Sequence, residues 1–368
     1  MALGRVAVHN LNQGQGDIKA IERHVLFVGR AAGEGEQSQL FSVGAQTDLN
    51  AVLQDSTLRQ QVKAAQLNAG QNWTAAVYPM AADETLAEAI EHANAAQSFE
   101  MVVVCIEMTQ PTELNDIHAL MVSQQASRGR FMCALVAVPG IDEQTQSWPE
   151  YEAACTTLQN NLAAHLVVAV PQLHGNNLGV LAGRLCDHSV SIADSPMRVE
   201  TGSVRGLGEP PKDKNGAVLS LATLNTLATS RFSVPQTYAD FEGTYWSNAQ
   251  TLDAIGGDYQ YLEHLRAVHK ASREVRVLAI RRVANRALNS TPASIEMNKT
   301  YFMRPLRAMS KSVKINGVVF PGDITPPKEG DISITWPTNK KVAIYMVVRP
   351  YNSPKDISVN IMLDLSNE

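Results

Sequence analysis

The pattern of apolar and polar residues along the chain changes at His24. From there, short apolar runs alternate with amphipathic stretches, which is typical of strands that alternate with helices. The candidate strands are residues 24–28, 74–78, 101–106, 131–138 and 165–170. The candidate helices between them are residues 48–65, 83–96, 112–127 and 149–164. This order predicts an open, doubly wound α/β domain, with a largely parallel sheet, over residues 21–200.

Beyond residue 185 the alternation ends, and glycine and proline become frequent between Gly202 and Pro211. This change predicts a domain boundary near residue 200. The second half contains one long helical stretch, residues 259–289, with apolar residues at helical spacing. Four strand-like segments follow it, at residues 314–320, 331–336, 342–348 and 356–365. We therefore expect a β-rich C-terminal α+β domain with one long helix over residues 201–350.

Both ends of the chain are predicted to be extended arms, residues 1–20 and 351–368. The first contains a short alternation around Val6 and Val8. The second follows Pro350 and Pro354 and places five apolar side chains on one face of a strand. These five are Ile357, Val359, Ile361, Leu363 and Leu365. Because an unpaired strand edge invites another chain, we expect both arms to add strands to neighbouring subunits.

Charge is divided unevenly along the 368 residues. Residues 1–200 carry 10 Lys and Arg against 21 Asp and Glu, whereas residues 201–368 carry 21 against 15. The C-terminal half is therefore expected to face something negative. No apolar run approaches the roughly 20 residues of a membrane span, and the N-terminus lacks the apolar region of a signal peptide. The four scattered cysteines indicate buried free thiols in a reducing cytosol.

Motifs for catalysis or cofactor binding are weak. His174, Cys186 and His188 do not have the spacing of a familiar zinc module. Gly14 and Gly16 precede the first predicted strand, whereas a dinucleotide fingerprint follows a strand. Phosphate-loop and nucleophile-elbow motifs are absent from the sequence. We therefore expect no enzyme activity, no cofactor and no metal, although an α/β enzyme that binds a nucleotide-type ligand remains the alternative.

One basic helix face stands out. Arg266, Lys270 and Arg273 fall at i, i+4 and i+7, so they share one side of the predicted long helix. An acidic protein surface fits this face better than nucleic acid, because the pI is about 6.0 and no aromatic residues are interleaved with the basic ones. A solvated helix face is the simpler interpretation. We expect no direct contact with nucleic acid.

The segment from Val170 to Leu185 reads Val-Pro-Gln-Leu-His-Gly-Asn-Asn-Leu-Gly-Val-Leu-Ala-Gly-Arg-Leu. It resembles the contractile phage tail sheath family, in which a strand ending in proline leads through a loop of small residues into a Gly-rich helix that closes with an arginine. The later order, a helical region with arginines and then a β-rich domain, is also similar. Gln172 and Asp187 depart from the pattern. The chain therefore resembles a compact, divergent member, close to sheaths of Mu-like or related tails.

The resemblance implies a structural subunit. It implies a homo-oligomer of stacked rings that forms a helical sheath around an inner tail tube protein, with baseplate and tail terminator proteins as further partners. The α/β domain would face outward, and the C-terminal domain, with Arg266, Lys270 and Arg273, would contact the tube. Assembly would occur in the cytoplasm of the bacterial host, and the product would be a virion tail. A baseplate protein is the second alternative.

Overall fold

The computed structural model describes residues 21–359. Its largest element is a six-stranded sheet built from short runs of buried apolar residues. The strands are β1 (Val25–Arg30), β2 (Phe41–Gly44), β3 (Thr74–Met80), β4 (Met101–Glu107), β5 (Cys133–Val138) and β6 (Val167–Pro171). Their order is β2-β3-β1-β4-β5-β6, with β2 antiparallel to β3 and all other neighbours parallel. The predicted doubly wound α/β sheet is confirmed.

Helices cover both faces of the sheet. They are α1 (Leu49–Val52), α2 (Thr57–Asn68), α3 (Leu86–Ala96), α4 (Pro111–Arg128), α5 (Trp148–Gln159) and α6 (Asn177–Leu185). Local signals fix their ends, since Thr85 and Glu88 form a capping box and Gly129 ends α4 at φ +63°. The single helix predicted over residues 48–65 is divided, because Ser56 caps a new helix and accepts a hydrogen bond from the Arg59 backbone N–H.

The core of the sheet continues past residue 200. Helix α7 (Leu221–Thr229) and the hairpin of β7 (Pro235–Tyr238) and β8 (Phe241–Trp246) contribute buried residues to it. The Ser233 and Leu252 backbone N–H groups donate to carbonyls of β6 at 3.0 and 2.8 Å. Packing therefore divides the described chain near residue 266, beyond the predicted boundary at residue 200. We call residues 21–266 the first body and residues 267–359 the second body.

Helix α8 (Leu262–Ile280) joins the two bodies, because Leu262 and Leu265 belong to the first core and Ala267, Ala271 and Val275 to the second. It ends nine residues before the predicted end at residue 289. The second body continues with an unpredicted helix and two hairpins. These elements are α9 (Pro292–Met309), β9 (Val313–Ile315), β10 (Val318–Phe320), β11 (Ile332–Thr338) and β12 (Lys341–Met346).

The predicted strand over residues 314–320 is a hairpin of β9 and β10. Asn316 and Gly317 form its turn with φ +48° and +90°, the left-handed conformations that favour these residue types in a two-residue turn. The alternation of apolar residues over this segment predicted one continuous strand and gave no indication of the turn. The β-rich character of the C-terminal part is confirmed, whereas the structure adds a second long helix, α9, to the single one that the sequence predicted.

The structure describes only part of the two predicted arms. Ile357 and Val359 lie in no regular element and are 72% and 75% exposed. Val6, Val8, Ile361, Leu363 and Leu365 lie outside the described residues. Their roles as inter-subunit strands therefore stay predictions. No helix between residues 21 and 359 is long and apolar enough to span a bilayer.

Candidate subunit surfaces and the junction between the bodies

A buried ion pair holds α8 against one edge of the sheet. Glu100 directly precedes β4, and Arg266 lies in the first half of α8. Because the strands are parallel, their starts share one edge of the sheet, and α8 lies against that edge. The Arg266 Nε and Nη2 atoms donate to the two carboxylate oxygens of Glu100 at 2.7 and 3.0 Å. Arg266 Nη2 also donates to the Leu185 carbonyl oxygen at 3.1 Å.

The pair is almost completely removed from water, with Glu100 1% and Arg266 2% exposed. Burial alone would raise the pKa of Glu100, but the charge and hydrogen bonds of Arg266 outweigh it and hold that pKa well below its usual range. Burial alone would lower the pKa of Arg266, but Glu100 raises it. Both groups are therefore charged, and each depends on the other.

The other two residues of the predicted basic face also have partners within the chain. Arg273 donates to the Phe131 carbonyl oxygen and to the Glu22 carboxylate, both at 2.8 Å. Lys270 donates to the Asp323 carboxylate at 2.8 Å, and Ser191 donates to the same carboxylate at 2.9 Å. The prediction that this face is an exposed tube contact therefore needs correction. The three residues do share one side of α8, but each forms an ion pair within the chain, and the pair of Arg273 with Glu22 links the two bodies.

The difference in net charge between the two parts of the chain is larger when the chain is divided at the boundary between the two bodies than when it is divided at residue 200. The first body carries 13 Lys and Arg against 27 Asp and Glu, a net charge of −14, and the second carries 16 against 6, a net charge of +10. Exposed cations of the second body, two in the last two turns of α9 and one just after its end, lie away from the buried Phe302 and Leu306 of this helix. We call Arg304, Arg307 and Lys311 the α9 basic face; none of them forms an ion pair among the described residues.

The segment that carried the family resemblance forms a tight crossing of α6 over α2. A Cβ atom built on Gly179 would lie 2.1 Å from the Gln61 carbonyl oxygen, and one on Gly183 would lie 2.4 Å from the Ala65 carbonyl oxygen. Gln172 has a structural role here, because its side-chain oxygen accepts from Gln61 Nε2 at 2.9 Å. Glycine is thus required by the close approach of the two helices.

Arg184, which closes this helix, organises the loop that follows. It is 7% exposed and donates to the carbonyl oxygens of Pro196, Gly202 and Arg198 at 2.6 to 2.8 Å. Burial lowers its pKa to about 10, so the guanidinium stays charged at neutral pH. The Gly-rich helix and its arginine therefore serve packing and loop geometry.

A buried carboxylate lies in the loop that follows β1, near the end of the sheet at which an α/β enzyme would bind a phosphate. In open sheets ligands bind at the carboxyl ends of strands where the strand order reverses, here between β1 and β4. Glu36 is buried beside this edge and accepts from the backbone N–H groups of Ala32 and Gln54 at 2.8 and 2.9 Å. A negative side chain that uses these donors disfavours a bound phosphate.

The candidate catalytic and metal-binding residues do not form a common site. Glu107 is exposed at the end of β4, and His174 lies beside Asn177, with its Nδ1 3.2 Å from the Asn177 amide nitrogen. Cys186 is buried, and burial raises the pKa of its thiol to about 12. Among residues 21–359, no group of three or more His, Cys, Asp or Glu side chains is arranged to hold a metal ion.

Two sequence profiles match most of the chain. They are described as DUF2586, N-terminal domain, over residues 3–250, and DUF2586, C-terminal domain, over residues 258–366. A protein of Haemophilus phage HP1 (strain HP1c1), named "Putative tail sheath protein", is 43% identical over 371 residues, with 98% of both chains covered. The chain belongs to the contractile tail sheath family. The boundary between the two profiles lies just before α8, close to the division found by packing.

Solved structures share the fold of this sheath family member. A chain of the contracted helical sheath of the anti-feeding prophage aligns with a TM-score of 0.60 at 12% identity and covers 98% of this chain and 99% of that one. A chain of the contracted baseplate of the same prophage aligns with a TM-score of 0.59 at 15% identity over the full length of both chains. The sheath tail protein of Listeria innocua aligns with a TM-score of 0.58 at 11% identity, over 91% of this chain and 93% of that one.

Proposed function

We propose that this subunit polymerises as stacked rings around an inner tail tube and that the sheath shortens to drive the tube through a target envelope. The observation that carries the proposal is the charge division of −14 and +10, which coincides with the division of the chain into two packed bodies. A basic inner body and an acidic outer body suit a subunit that holds an acidic tube on one side and faces solvent on the other.

Contraction requires no chemical step in this proposal. Repeated heterologous contacts along the tail axis store free energy in an extended lattice, and a trigger at the baseplate releases it. The Arg273–Glu22 ion pair and the hydrogen bond from Ser191 to Asp323 link the two bodies, so each subunit moves as a rigid unit and the arms act as hinges. The proposal includes no enzyme activity, cofactor or metal, and it includes assembly in the host cytoplasm.

The contact with the tube belongs, in this proposal, to the α9 basic face. Arg304, Arg307 and Lys311 are exposed, and they replace the residues of α8 that the structure gives intramolecular partners. Exposed ion pairs contribute only about 0 to 1 kcal/mol each, and salt screens them. Attachment of each subunit is therefore weak, which suits a sheath that releases the tube as it shortens.

Charge reversal tests the tube contact. Arg304→Glu, Arg307→Glu and Lys311→Glu together should abolish co-assembly with the tube protein in a pull-down at low salt. The matched control reverses Lys63, Arg205 and Lys212, which are exposed on the first body, and changes the net charge equally. The control should co-assemble normally. Co-assembly that survives the reversal in α9 would remove the tube contact from this face.

Microscopy of the purified chain tests the function as a whole. Negative-stain images should show rings or tubes, and a contracted tail should contain the protein as one of its most abundant components. A baseplate role is the second candidate, favoured by the full-length likeness to a chain of the anti-feeding prophage baseplate. A baseplate protein would be present in only a few copies per particle, so quantitative mass spectrometry of purified tails separates the two.

A further inference from the structure

A groove of about 790 Å³ lies in the second body between the loop that follows α8 and the hairpin of β11 and β12. Its base is apolar, with Phe302, Val342 and Ile344, and its rim is basic, with Arg286 and Lys340. Both rim residues are exposed and form no ion pair among residues 21–359. The groove is therefore an apolar depression with a positive rim.

Two hydrogen-bond donors in this groove lack acceptors. Neither the indole N–H of Trp336 nor the Nε of Arg282 has a partner in the described part of the chain, although both atoms are buried. The Arg282 guanidinium lies 4.0 Å above the ring of Tyr301, which holds it in place. Arg282 thus adds a third positive charge to the groove beside Arg286 and Lys340, so the groove fits a segment that brings negative charge.

The tip of the β7–β8 hairpin has the complementary character. Tyr238, Phe241 and Tyr245 form a cluster with ring centroids 5.5 to 6.4 Å apart. Phe241 is 52% and Tyr238 39% exposed, which is unusual for large aromatic side chains unless they meet a partner. Asp240 and Glu242, both exposed, flank Phe241 and give the tip two negative charges.

We propose that the hairpin tip of one subunit docks into this groove of a second copy of the chain. The aromatic rings would cover the apolar base, and the two carboxylates would meet the basic rim. Because the two surfaces are different parts of one chain, the contact is heterologous and generates an open polymer. The inference rests on the proposed polymerisation and adds to it one specific contact between subunits.

A charge exchange tests the pairing. Asp240→Asn with Glu242→Arg keeps a residue tolerant of the positive φ at position 240 and reverses the tip. Arg286→Glu with Lys340→Glu reverses the rim. Each double variant should raise the concentration needed for polymer formation by about tenfold or more, because like charges then meet across the contact. The chain that carries all four changes should polymerise again.

Thermal unfolding checks that every variant remains folded, and restoration in the fourfold variant excludes simple misfolding. Equal polymerisation of the wild type and both double variants would overturn the hairpin contact and leave the proposed function standing. A wild-type chain that forms no polymer contradicts the proposed function and this inference together.

Crosslinking identifies the occupant directly. A photoreactive benzoylphenylalanine at Asn339, an exposed residue of the groove, should link wild-type polymers to the tryptic peptide that contains the hairpin, residues 232–266. The same chain as a dilute monomer should give no such link. A link to residues 356–368, or to the tube protein, would show that another segment fills the groove and would overturn the proposal.

Discussion

Arg266 and Glu100 are separated by 166 residues in sequence and form one buried, bidentate ion pair. Removing two charges from water is costly, and their attraction offsets this cost only when the geometry is good and the remaining atoms are bonded. Both conditions hold, since the Arg23 backbone N–H donates to Glu100 Oε2 at 2.5 Å and the Leu185 carbonyl accepts from Arg266. The pair thus fixes how α8 sits against the sheet.

Glu100→Gln should reduce the free energy of unfolding by about 3 to 5 kcal/mol, because it leaves the Arg266 charge buried without a counter-charge. Urea denaturation of the purified monomer measures this loss. Glu91→Gln is the control, because Glu91 pairs with Arg128 on the surface, where both side chains are largely exposed. That change should cost at most about 1 kcal/mol. Equal losses in the two variants would contradict a special role for the buried pair.

Acid should destabilise the fold from about pH 6.5 downward, the ordinary pKa of histidine. Burial, followed by the charge of Arg273, lowers the pKa of His269 to about 3. Between these values the unfolded chain binds a proton that the folded chain does not, so stability is present above pH 6.5 and is lost as the pH falls. His118, His165, His174 and His188 act in the same direction, since burial also lowers their pKa values.

Replacing His269 measures how much of the acid-induced loss of stability comes from this side chain. His269→Gln should remove up to about 1.4 kcal/mol per pH unit from the slope of unfolding free energy against pH, well below pH 6.5. Denaturant titrations between pH 4 and pH 8 measure the slope. An unchanged slope in the variant would show that His269 is not held neutral in the folded chain.

At the scale of the elements, the crossing of α2 and α6 depends on glycine. Gly179→Ala should destabilise the protein by about 1 to 3 kcal/mol, because the added methyl group meets the Gln61 carbonyl oxygen and the helices must separate. Gly35→Ala is the matched control, since nothing lies within 4 Å of a Cβ atom there. Thermal melts of both variants give the comparison, and a Gly179→Ala variant as stable as the control would contradict the tight crossing.

The sequence predicted the elements whose pattern is local. Strands β1 and β3 to β6 are continuous apolar runs, and helices α3 to α5 begin at capping residues. Strand β2 has only four residues and β7 and β8 are short, so they carry little periodic signal. Thr291 and Pro292 are a helix start signal at the beginning of α9. Its apolar positions, including Phe302 and Leu306, form one helix face.

The basic face of α8 shows what the spacing of residues along a helix cannot predict. Spacing placed Arg266, Lys270 and Arg273 on one face of a helix, and the structure agrees. Spacing does not reveal whether such a face meets solvent or another part of the chain. Glu100, Phe131 and Asp323 come from distant segments, so only the folded chain shows them beside α8. A buried Glu that directly precedes an apolar strand was the one available signal.

At the scale of the whole molecule, the C-terminal segment leaves the second body and returns to the start of α8. Lys355 forms an ion pair with Glu263, which is 2% exposed, and its Nζ lies 5.5 Å from the ring centroid of Tyr261. The chain beyond this contact is therefore attached at a defined place. We expect the alternating apolar residues that begin with Ile357 and Val359 to extend from there to a neighbouring subunit.

Deletion of residues 357–368 should leave a folded monomer that does not form sheath. The truncation keeps Lys355, so Glu263 retains its partner and the far-ultraviolet circular dichroism and melting temperature should stay close to wild type. Polymer formation should be lost, because the alternating face of Ile357, Val359, Ile361, Leu363 and Leu365 is the strand that we propose each subunit adds to the next. Sedimentation and negative-stain microscopy measure the loss.

A chain with Ser358→Gln and Asn360→Gln is the control for this deletion, because these residues alternate with the apolar ones and would lie on the opposite face of the strand. It should assemble normally. A synthetic peptide of residues 356–368 in excess should inhibit assembly of the full-length chain, since it would occupy the acceptor edges without bringing another subunit. Normal tubes from the truncated chain, or no inhibition by the peptide, would exclude strand donation by this segment and leave the contacts between the folded bodies to hold the sheath together.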